Sequence, residues 1–504
     1  MNKLLLLAGL LISSSVLAQT YTTAVRVNQD KSLRADRAPI MKLDHAGNIY
    51  VSWVGGANAS GDGDLNMAVS TDGGATFAES VVNATAKCNS NFQRGGEFVV
   101  DTKGNIHLVW VANRVGTQPD VWYTRSNDKG KTWSMAMSIS DADDSSKYAQ
   151  DFPSIACDSS DNLYVSFLDA REMQRKQSDY FHLYITRSTN GGMNWSAHKK
   201  ADVLPNGVGG TCECCAQHIA SSPDGHLFIV FRSNINDVRD IWMARSNDKA
   251  LTFEPALKVM SGDWNIAACP VTGPNIAVDD SNGAHIVWRD SRDDNGGMAH
   301  LFYAYVPSAS TQTPMNMVTE ASGSQNPNYP NIAVYDHHRF VVIAYETLNY
   351  GMRYILNANG SPLVNNRPID ANGSSAKSFS NVLFAANGTR YLCWQDAMTD
   401  KGDIYFAKET SPLPTSGVAI SPTQTGFSIY PNPISKANPT FTITHQASTT
   451  GSLEIVDMLG REIVRQDISG QEQTNISLPQ IPSGTYFVVT RSADVVSKAM
   501  IMVE

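Results

Sequence analysis

Seven times along the chain a short apolar strand with alternating side chains recurs, and this recurrence restricts the fold more than any other feature. The copies are Asn48-Ile-Tyr-Val-Ser-Trp53, Asn105-Ile-His-Leu-Val-Trp110, Asn162-Leu-Tyr-Val-Ser-Phe167 and His226-Leu-Phe-Ile-Val-Phe231, then Ala284-His-Ile-Val-Trp288, Arg339-Phe-Val-Val-Ile-Ala344 and Thr389-Arg-Tyr-Leu-Cys-Trp394. Apolar residues alternate within each copy, which is the period of a strand and not of a helix. Each copy sits in a block with a preceding apolar strand, a Gly or Asn turn, a variable loop and a third strand. A four-stranded unit repeated every 50 to 64 residues or so reads as the blade of a β-propeller. The stretch Thr22-Thr-Ala-Val-Arg-Val-Asn28 precedes the first block as an orphan strand, and the last block lacks a fourth strand after Ala407. The N-terminal strand is therefore expected to complete the last blade, which would remove exposed sheet edges. The expected fold is all-β: a propeller of seven blades, with six as the alternative, followed by a small Ig-like β-sandwich.

Composition agrees. The 504 residues include 36 Gly and 22 Pro, suited to many short strands joined by turns. The net charge is −9 and no long basic run occurs, so a nucleic-acid backbone is not an expected partner. Met-Asn-Lys, an apolar run from Leu4 to Ile12 and a small-residue end at Val16-Leu17-Ala18 read as a signal peptide cut before Gln19. No later segment has the length of a transmembrane helix. The expected division is a signal peptide at 1–18, the propeller at 19–410, a Pro/Ser/Thr/Gly linker at 411–426 and a small domain at 427–504. A monomer is expected.

A second motif recurs four times, as Ser70-Thr-Asp-Gly-Gly-Ala-Thr-Phe77, Ser126-Asn-Asp-Lys-Gly-Lys-Thr-Trp133, Ser188-Thr-Asn-Gly-Gly-Met-Asn-Trp195 and Ser246-Asn-Asp-Lys-Ala-Leu-Thr-Phe253. The Asp or Asn caps turn amides, the Gly permits positive φ and the aromatic packs back on the blade. Asn190 replaces Asp in the third copy and Ala250 replaces Gly in the fourth, where a slightly different turn is expected. These Asp boxes, also called BNR repeats, resemble those of the sialidase superfamily, in which they are structural. Near the C-terminus, Tyr430-Pro-Asn-Pro433, Glu454-Ile-Val-Asp-Met-Leu-Gly-Arg461, Ser483-Gly-Thr-Tyr-Phe487 and Lys498-Ala-Met-Ile-Met-Val503 follow one another. This order resembles the C-terminal sorting domain of type IX secreted proteins of Bacteroidota. The resemblance implies engagement of the type IX secretion machinery and a secreted or outer-membrane surface-attached product.

The sialidase resemblance implies a site at the channel mouth, with three arginines on a sugar carboxylate, a Tyr nucleophile assisted by Glu, and an Asp acid. By position, Arg37 in Arg37-Ala-Pro-Ile40, Arg232 and Arg289 match the arginines, and Arg239 joins them as a ligand-binding candidate. Asp62 and Asp64 match the acid, and Tyr345, Glu346 and Tyr350 are the nucleophile candidates. The Arg-Ile-Pro motif of the family is altered, and sialidases have six blades. Two readings follow: a non-catalytic propeller that binds a glycan or surface protein, and a sialidase-type exo-glycosidase acting on terminal acidic sugars.

Seven cysteines include a cluster, Thr211-Cys-Glu-Cys-Cys-Ala-Gln-His218, with Cys269 in the next block. Both groups open innermost strands of adjacent blades, so they should meet near one mouth. A disulfide between Cys269 and one of Cys212, Cys214 or Cys215 is the first reading for an oxidising compartment. Soft-metal binding by Cys212, Cys214, Cys215, Cys269 and His218 is the second. Cys157 and Cys393 read as small core residues. Asp62-Gly-Asp64 and Asp290 to Asn295 resemble loose calcium loops without matching a full one, and no cofactor is expected.

Overall fold

The computed structural model describes residues 21–29, 35–57, 62–82, 87–89, 95–113, 118–139, 148–292, 299–308, 310, 316–318, 326–336, 340–347, 352–358, 367–368, 377–396, 402–410, 427–430, 434–436, 439–445, 450–456, 462–469, 473–482, 484–491 and 496–503. The chain divides into two compact units, Met1–Leu413 and Pro414–Glu504. Residues 1–18, read as a signal peptide, and 411–426, read as a linker, lie outside the described residues.

Among the described residues the first unit holds seven antiparallel four-stranded sheets, six of them with their strands in chain order from the innermost outward, and two carry a short extra strand. All seven repeated segments form second strands: Ile49–Ala57, Ile106–Asn113, Leu163–Asp169, Leu227–Asn234, Ala284–Asp290, Phe340–Glu346 and Arg390–Asp396. Four of their aromatic ends, Trp53, Trp110, Trp288 and Trp394, are among the largest fully buried side chains. Alternation turns each strand's two faces toward different neighbours. Val341, Ile343 and Tyr345 pack with Val287 and Leu301 of the preceding blade. Val342 and Ala344 pack with Val382, Leu392 and Trp394 of the following one.

The last sheet is completed from the N-terminus. Val25–Arg26 pairs antiparallel with Asp403–Lys408, Val25 opposite Phe406 and Arg26 opposite Tyr405. Arg26 also forms an ion pair with the buried Asp403.

Each Asp box is a turn closed by its own side chains. Asp72 accepts from Ser70 Oγ (2.7 Å), Thr76 N (3.0 Å) and Thr76 Oγ1 (2.6 Å), and Ser70 Oγ accepts from Gly74 N at 2.8 Å. Asn190 reproduces this on Ser188 and Asn194. Ala250 occupies the glycine position with φ 63°, so the fourth turn keeps its path. The box also joins blades. Trp195 packs edge-on against Tyr123 of the preceding blade at 5.1 Å, and Phe77 against Phe406 at 5.6 Å. A methyl on Gly192 would lie 1.8 Å from the Tyr123 hydroxyl, so this close approach requires glycine.

The innermost strands share a feature that the sequence reading missed. Pairing with the second strand slips between Arg37 and Ile40, Asp151 and Ser154, Asn328 and Asn331, and Ser378 and Asn381. Each slip holds one residue at positive φ: Ala38, Phe152, Tyr329 and Phe379. The Arg37-Ala-Pro-Ile40 segment is thus the first of four matching β-bulges.

The second unit holds a three-stranded sheet (Phe427–Tyr430, Thr440–His445, Gln473–Ser477) and a four-stranded sheet (Glu462–Ser469, Thr450–Val456, Gly484–Arg491, Val496–Val503). Phe441 and Ile443 from one sheet share a core with Leu453, Ile455, Val488 and Ile501 from the other, which makes a sandwich.

Candidate functional site

Strand direction separates the two ends of the propeller. Innermost strands begin, second strands end and third strands begin at one end; the Asp boxes, which follow third strands, lie at the other. The described sequence-derived candidates Arg37, Asp64, Arg232, Arg239, Arg289, Glu346 and the cysteine cluster all lie on segments at the first end. A cavity of about 160 Å³ runs along the innermost strands, all seven of which line it, from Ala38 and Tyr329 near the first end to Lys42 and Leu383 near the other. Its polar lining includes Glu97, Ser154, His218, Asn275, Asn331 and Asn381, and Tyr329 and Phe379 supply aromatic rings. These two rings stack at 4.7 Å between centroids.

Part of this polar lining closes the ring. Asn331 Oδ1 accepts from Val382 N (2.9 Å), Asn381 Oδ1 from Met41 N (3.3 Å) and Ser154 Oγ from Ile219 N (3.3 Å), each on the next blade. His218 Nδ1 lies 2.8 Å from the Pro274 carbonyl and Nε2 lies 3.3 Å from Asn275 Nδ2.

Arg232 and Arg289 lie within electrostatic reach of each other, but both spend donors on groups inside the protein. Arg232 is 1% exposed and donates to the carbonyls of Arg239 (2.8 Å), Arg289 (2.7 Å) and Thr272 (3.4 Å), with its guanidinium 5.1 Å from the Trp264 ring. It clamps blades together, which corrects its reading as a ligand arginine: a buried guanidinium must spend its donors inside the protein. Arg289 donates to the Pro327 carbonyl (2.9 Å) and Asn326 Oδ1 (3.2 Å). Arg239 donates to Cys212 Sγ at 3.1 Å and lies 3.5 Å from Glu213. Arg37 is half-buried just before the first bulge.

The acid and nucleophile candidates also separate. Asp64, itself partly exposed, pairs with Lys87. The Asp62 side chain and Tyr350 lie outside the described residues. Tyr345 is fully buried among Val287, Leu301 and Ile343, so the reading of it as a nucleophile is corrected: no substrate reaches a ring packed inside a blade interface. Its place was readable, because Tyr345 continues the apolar face of Val341 and Ile343. Asp290 is buried against Arg292 (3.0 Å) and Trp288 Nε1 (3.2 Å), which takes it out of the calcium reading, while 293–298 lie outside the described residues.

Glu346 retains chemical potential. Burial raises its carboxyl to about 7 against the lowering effects of Phe379 N, Asn328 and Arg289. Tyr329, missed in the sequence, lies within electrostatic reach of both Glu346 and Arg289, and burial raises its phenol. The repeated residue-before-Pro pattern at Phe152-Pro153 and Tyr329-Pro330 was the available signal. A carboxyl raised on folding binds its proton more tightly in the native state, so its contribution is present at low pH and is lost as pH rises from about 4.5 to about 7. We expect the midpoint of urea unfolding to fall across that window, by about 3 kcal/mol of stability at most, and to flatten in Glu346→Gln. Equal slopes in the two proteins would refute the assignment.

At the rim, Cys214 and Cys269 form a disulfide. Cys212 and Cys215 are buried free thiols with sulfurs 2.7 Å apart. The four sulfurs lie within 4.8 Å of one another; His218 is not among them. The four cysteines form the compact group that the metal alternative named, but His218 serves Pro274 and Asn275, and in the disulfide form Cys214 and Cys269 offer no thiolate.

Residues 47–282 match the family model of a BNR repeat-like domain, and residues 428–504 match that of a secretion system C-terminal sorting domain. No curated protein matches the chain in sequence. Among solved structures, the chain is similar to an α-L-arabinofuranosidase of Fusarium graminearum (10% identity, TM-score 0.46, covering 77% of this chain and 97% of that one). It is similar to PorZ, a surface component of the type-IX secretion system of Porphyromonas gingivalis (14%, 0.43, 92% and 59%), and to the Hadza microbial sialidase Hz136 (12%, 0.41, 72% and 76%).

Proposed function

From a chain that is a BNR-repeat β-propeller, secreted or attached at the cell surface through a type IX sorting domain, we propose that the propeller recognises a glycan at its channel mouth without cleaving it. The observation that carries this reading is the cavity itself. It sets the Tyr329 and Phe379 rings beside Glu97 and the side-chain amides of Asn331 and Asn381, of which only the Oδ1 atoms are engaged in closing the ring in the bonds described above, and rings beside amides are the combination that meets the C–H faces and hydroxyls of a sugar. The internal partners of Arg232 and Arg289 argue against a carboxylate clamp made by these two with Arg37. A protein ligand remains the other form of the same reading, and a glycan array separates the two.

One observation favours catalysis as the second reading. Glu346, held near 7, beside Tyr329 and Arg289, is a set suited to proton transfer at the cavity edge. The mature chain is expected to bind an array of neutral and acidic glycans, with Tyr329→Ala weakening binding by about tenfold, the loss of one stacking contact. It is expected to leave a fluorogenic sialoside and an arabinofuranoside intact. Turnover that disappears in Glu346→Gln would replace the binding reading with the glycosidase one.

A further inference from the structure

We propose that Cys212 and Cys215, together with the Cys214–Cys269 disulfide, form a thiol–disulfide exchange site that passes two electrons from a buried dithiol to the disulfide of an external compound.

The four sulfurs are arranged by access. Cys212 and Cys215 are buried, Cys214 is half-buried and Cys269 is exposed. Cys212 Sγ lies 2.7 Å from Cys215 Sγ and 3.6 Å from Cys214 Sγ, so it touches both its dithiol partner and the disulfide. Cys212 and Cys215 also stand at the two ends of a Cys-x-x-Cys spacing, Cys212-Glu-Cys-Cys215. Close backbone packing holds the segment after Cys269 against the segment after Cys215. A Cβ on Gly273 would lie 1.7 Å from the Ala216 carbonyl, so the segments that follow the two cysteine groups run against each other.

The two thiols are electrically unequal. The contact with Cys215 and the charges of Arg232 and Arg239 outweigh burial and bring the Cys212 thiol down to about 7. Burial holds the Cys215 thiol well above its ordinary range. A thiolate attacker beside a protonated resolving thiol is the division of labour that disulfide exchange needs. The guanidinium of Arg239, 3.1 Å from Cys212 Sγ, favours a thiolate there over a metal cation.

The steps balance within the cluster. Cys212 thiolate attacks Cys214 Sγ; the Cys214–Cys269 bond breaks, and Cys269 leaves as an exposed thiolate. Cys215 then loses its proton to solvent and attacks Cys212 Sγ, and Cys214 leaves. The result is a Cys212–Cys215 disulfide and a surface dithiol. Cys269 thiolate attacks the external disulfide and expels one thiolate; Cys214 attacks Cys269 Sγ and expels the other. The two thiol protons of the buried pair end on the two released thiols, and the Cys214–Cys269 disulfide is restored.

The test uses the mature chain and oxidised glutathione, with alkylation of native protein mapped by mass spectrometry. Protein with Cys212 and Cys215 reduced and Cys214–Cys269 intact is expected to release two glutathione thiols per chain, to form Cys212–Cys215, and to react faster as pH rises through about 7. Cys212→Ser should lose the reaction by about a hundredfold while keeping Cys214–Cys269. Wild-type kinetics in folded Cys212→Ser would overturn the proposal. So would a Cys212–Cys215 disulfide that dithiothreitol reduces only on unfolding, or zinc or copper bound one per chain. If Cys212→Ser does not fold, the pH profile of Cys212 alkylation in the unaltered protein decides: no rise through about 7 overturns the site.

Discussion

Removing residues 21–29 from the mature chain is expected to abolish its cooperative melt and send it into aggregates. The segment contributes the edge strand Val25–Arg26 to the last blade, with Thr22 N donating to the Lys408 carbonyl (2.8 Å) and Val27 N to that of Ile404 (2.7 Å). Its side chains matter as much as its backbone. Asn28 Nδ2 donates to Asp36 Oδ2 (2.6 Å) and to Asp403 Oδ1 (3.0 Å), and Asn28 Oδ1 accepts from Ile404 N (2.9 Å). One buried amide thereby ties the first blade to the last. Asp403 is 1% exposed in the intact ring, and the truncation takes from it both the Arg26 ion pair and the Asn28 hydrogen bond. Breaking a buried pair of this kind costs about 3–5 kcal/mol, a large part of a domain's stability, and the bare edge of Asp403–Lys408 offers unpaired backbone to other chains. Differential scanning fluorimetry and light scattering read both effects. A truncated protein that elutes as a monomer and melts with the intact one would show that the ring does not depend on this closure.

Glu409→Ala is expected to cost about 3–5 kcal/mol in urea unfolding, and Arg390→Met with Glu409→Leu to recover most of it. Arg390 and Glu409 are both fully buried, with Arg390 Nε donating to Glu409 Oε2 at 2.9 Å and a second contact from Nη2 to Oε1. The loss in the single variant comes from stranding a guanidinium in the interior; the double variant removes both charges and their desolvation together. A single variant within 1 kcal/mol of the parent, roughly the range of an exposed pair, would show that water reaches this ion pair.

The repeats were legible because each blade uses the same local rules. Strand alternation, the Ser-x-Asp-x-Gly-x-Thr-aromatic turn and an orphan N-terminal strand each carry their physics within a few residues, and closure by the N-terminal strand followed from the missing fourth strand of the last block. The candidate site was legible only in outline. Arg289 and Glu346 were found at the ends of second strands, but Arg232, near the end of the second strand of the preceding blade, and Tyr345, one residue before Glu346, are buried. Alternation gave a usable signal for Tyr345. Nothing local distinguishes the buried Arg232 from an exposed arginine, since its partners are carbonyls 7, 40 and 57 residues away.

By itself, then, the sequence determined the all-β repeat, the Asp-box turns and the sorting domain, since each is written in contiguous residues whose conformational preferences agree. Tertiary structure alone decided which polar groups face the channel and which are consumed inside it. It paired Cys214, rather than Cys212 or Cys215, with Cys269, 55 residues away. It also brought Tyr329 beside Phe379 and Glu346 from different strands. Those outcomes depend on the distances between blades. They are set by how seven sheets pack around one axis, and no short stretch of chain encodes that packing.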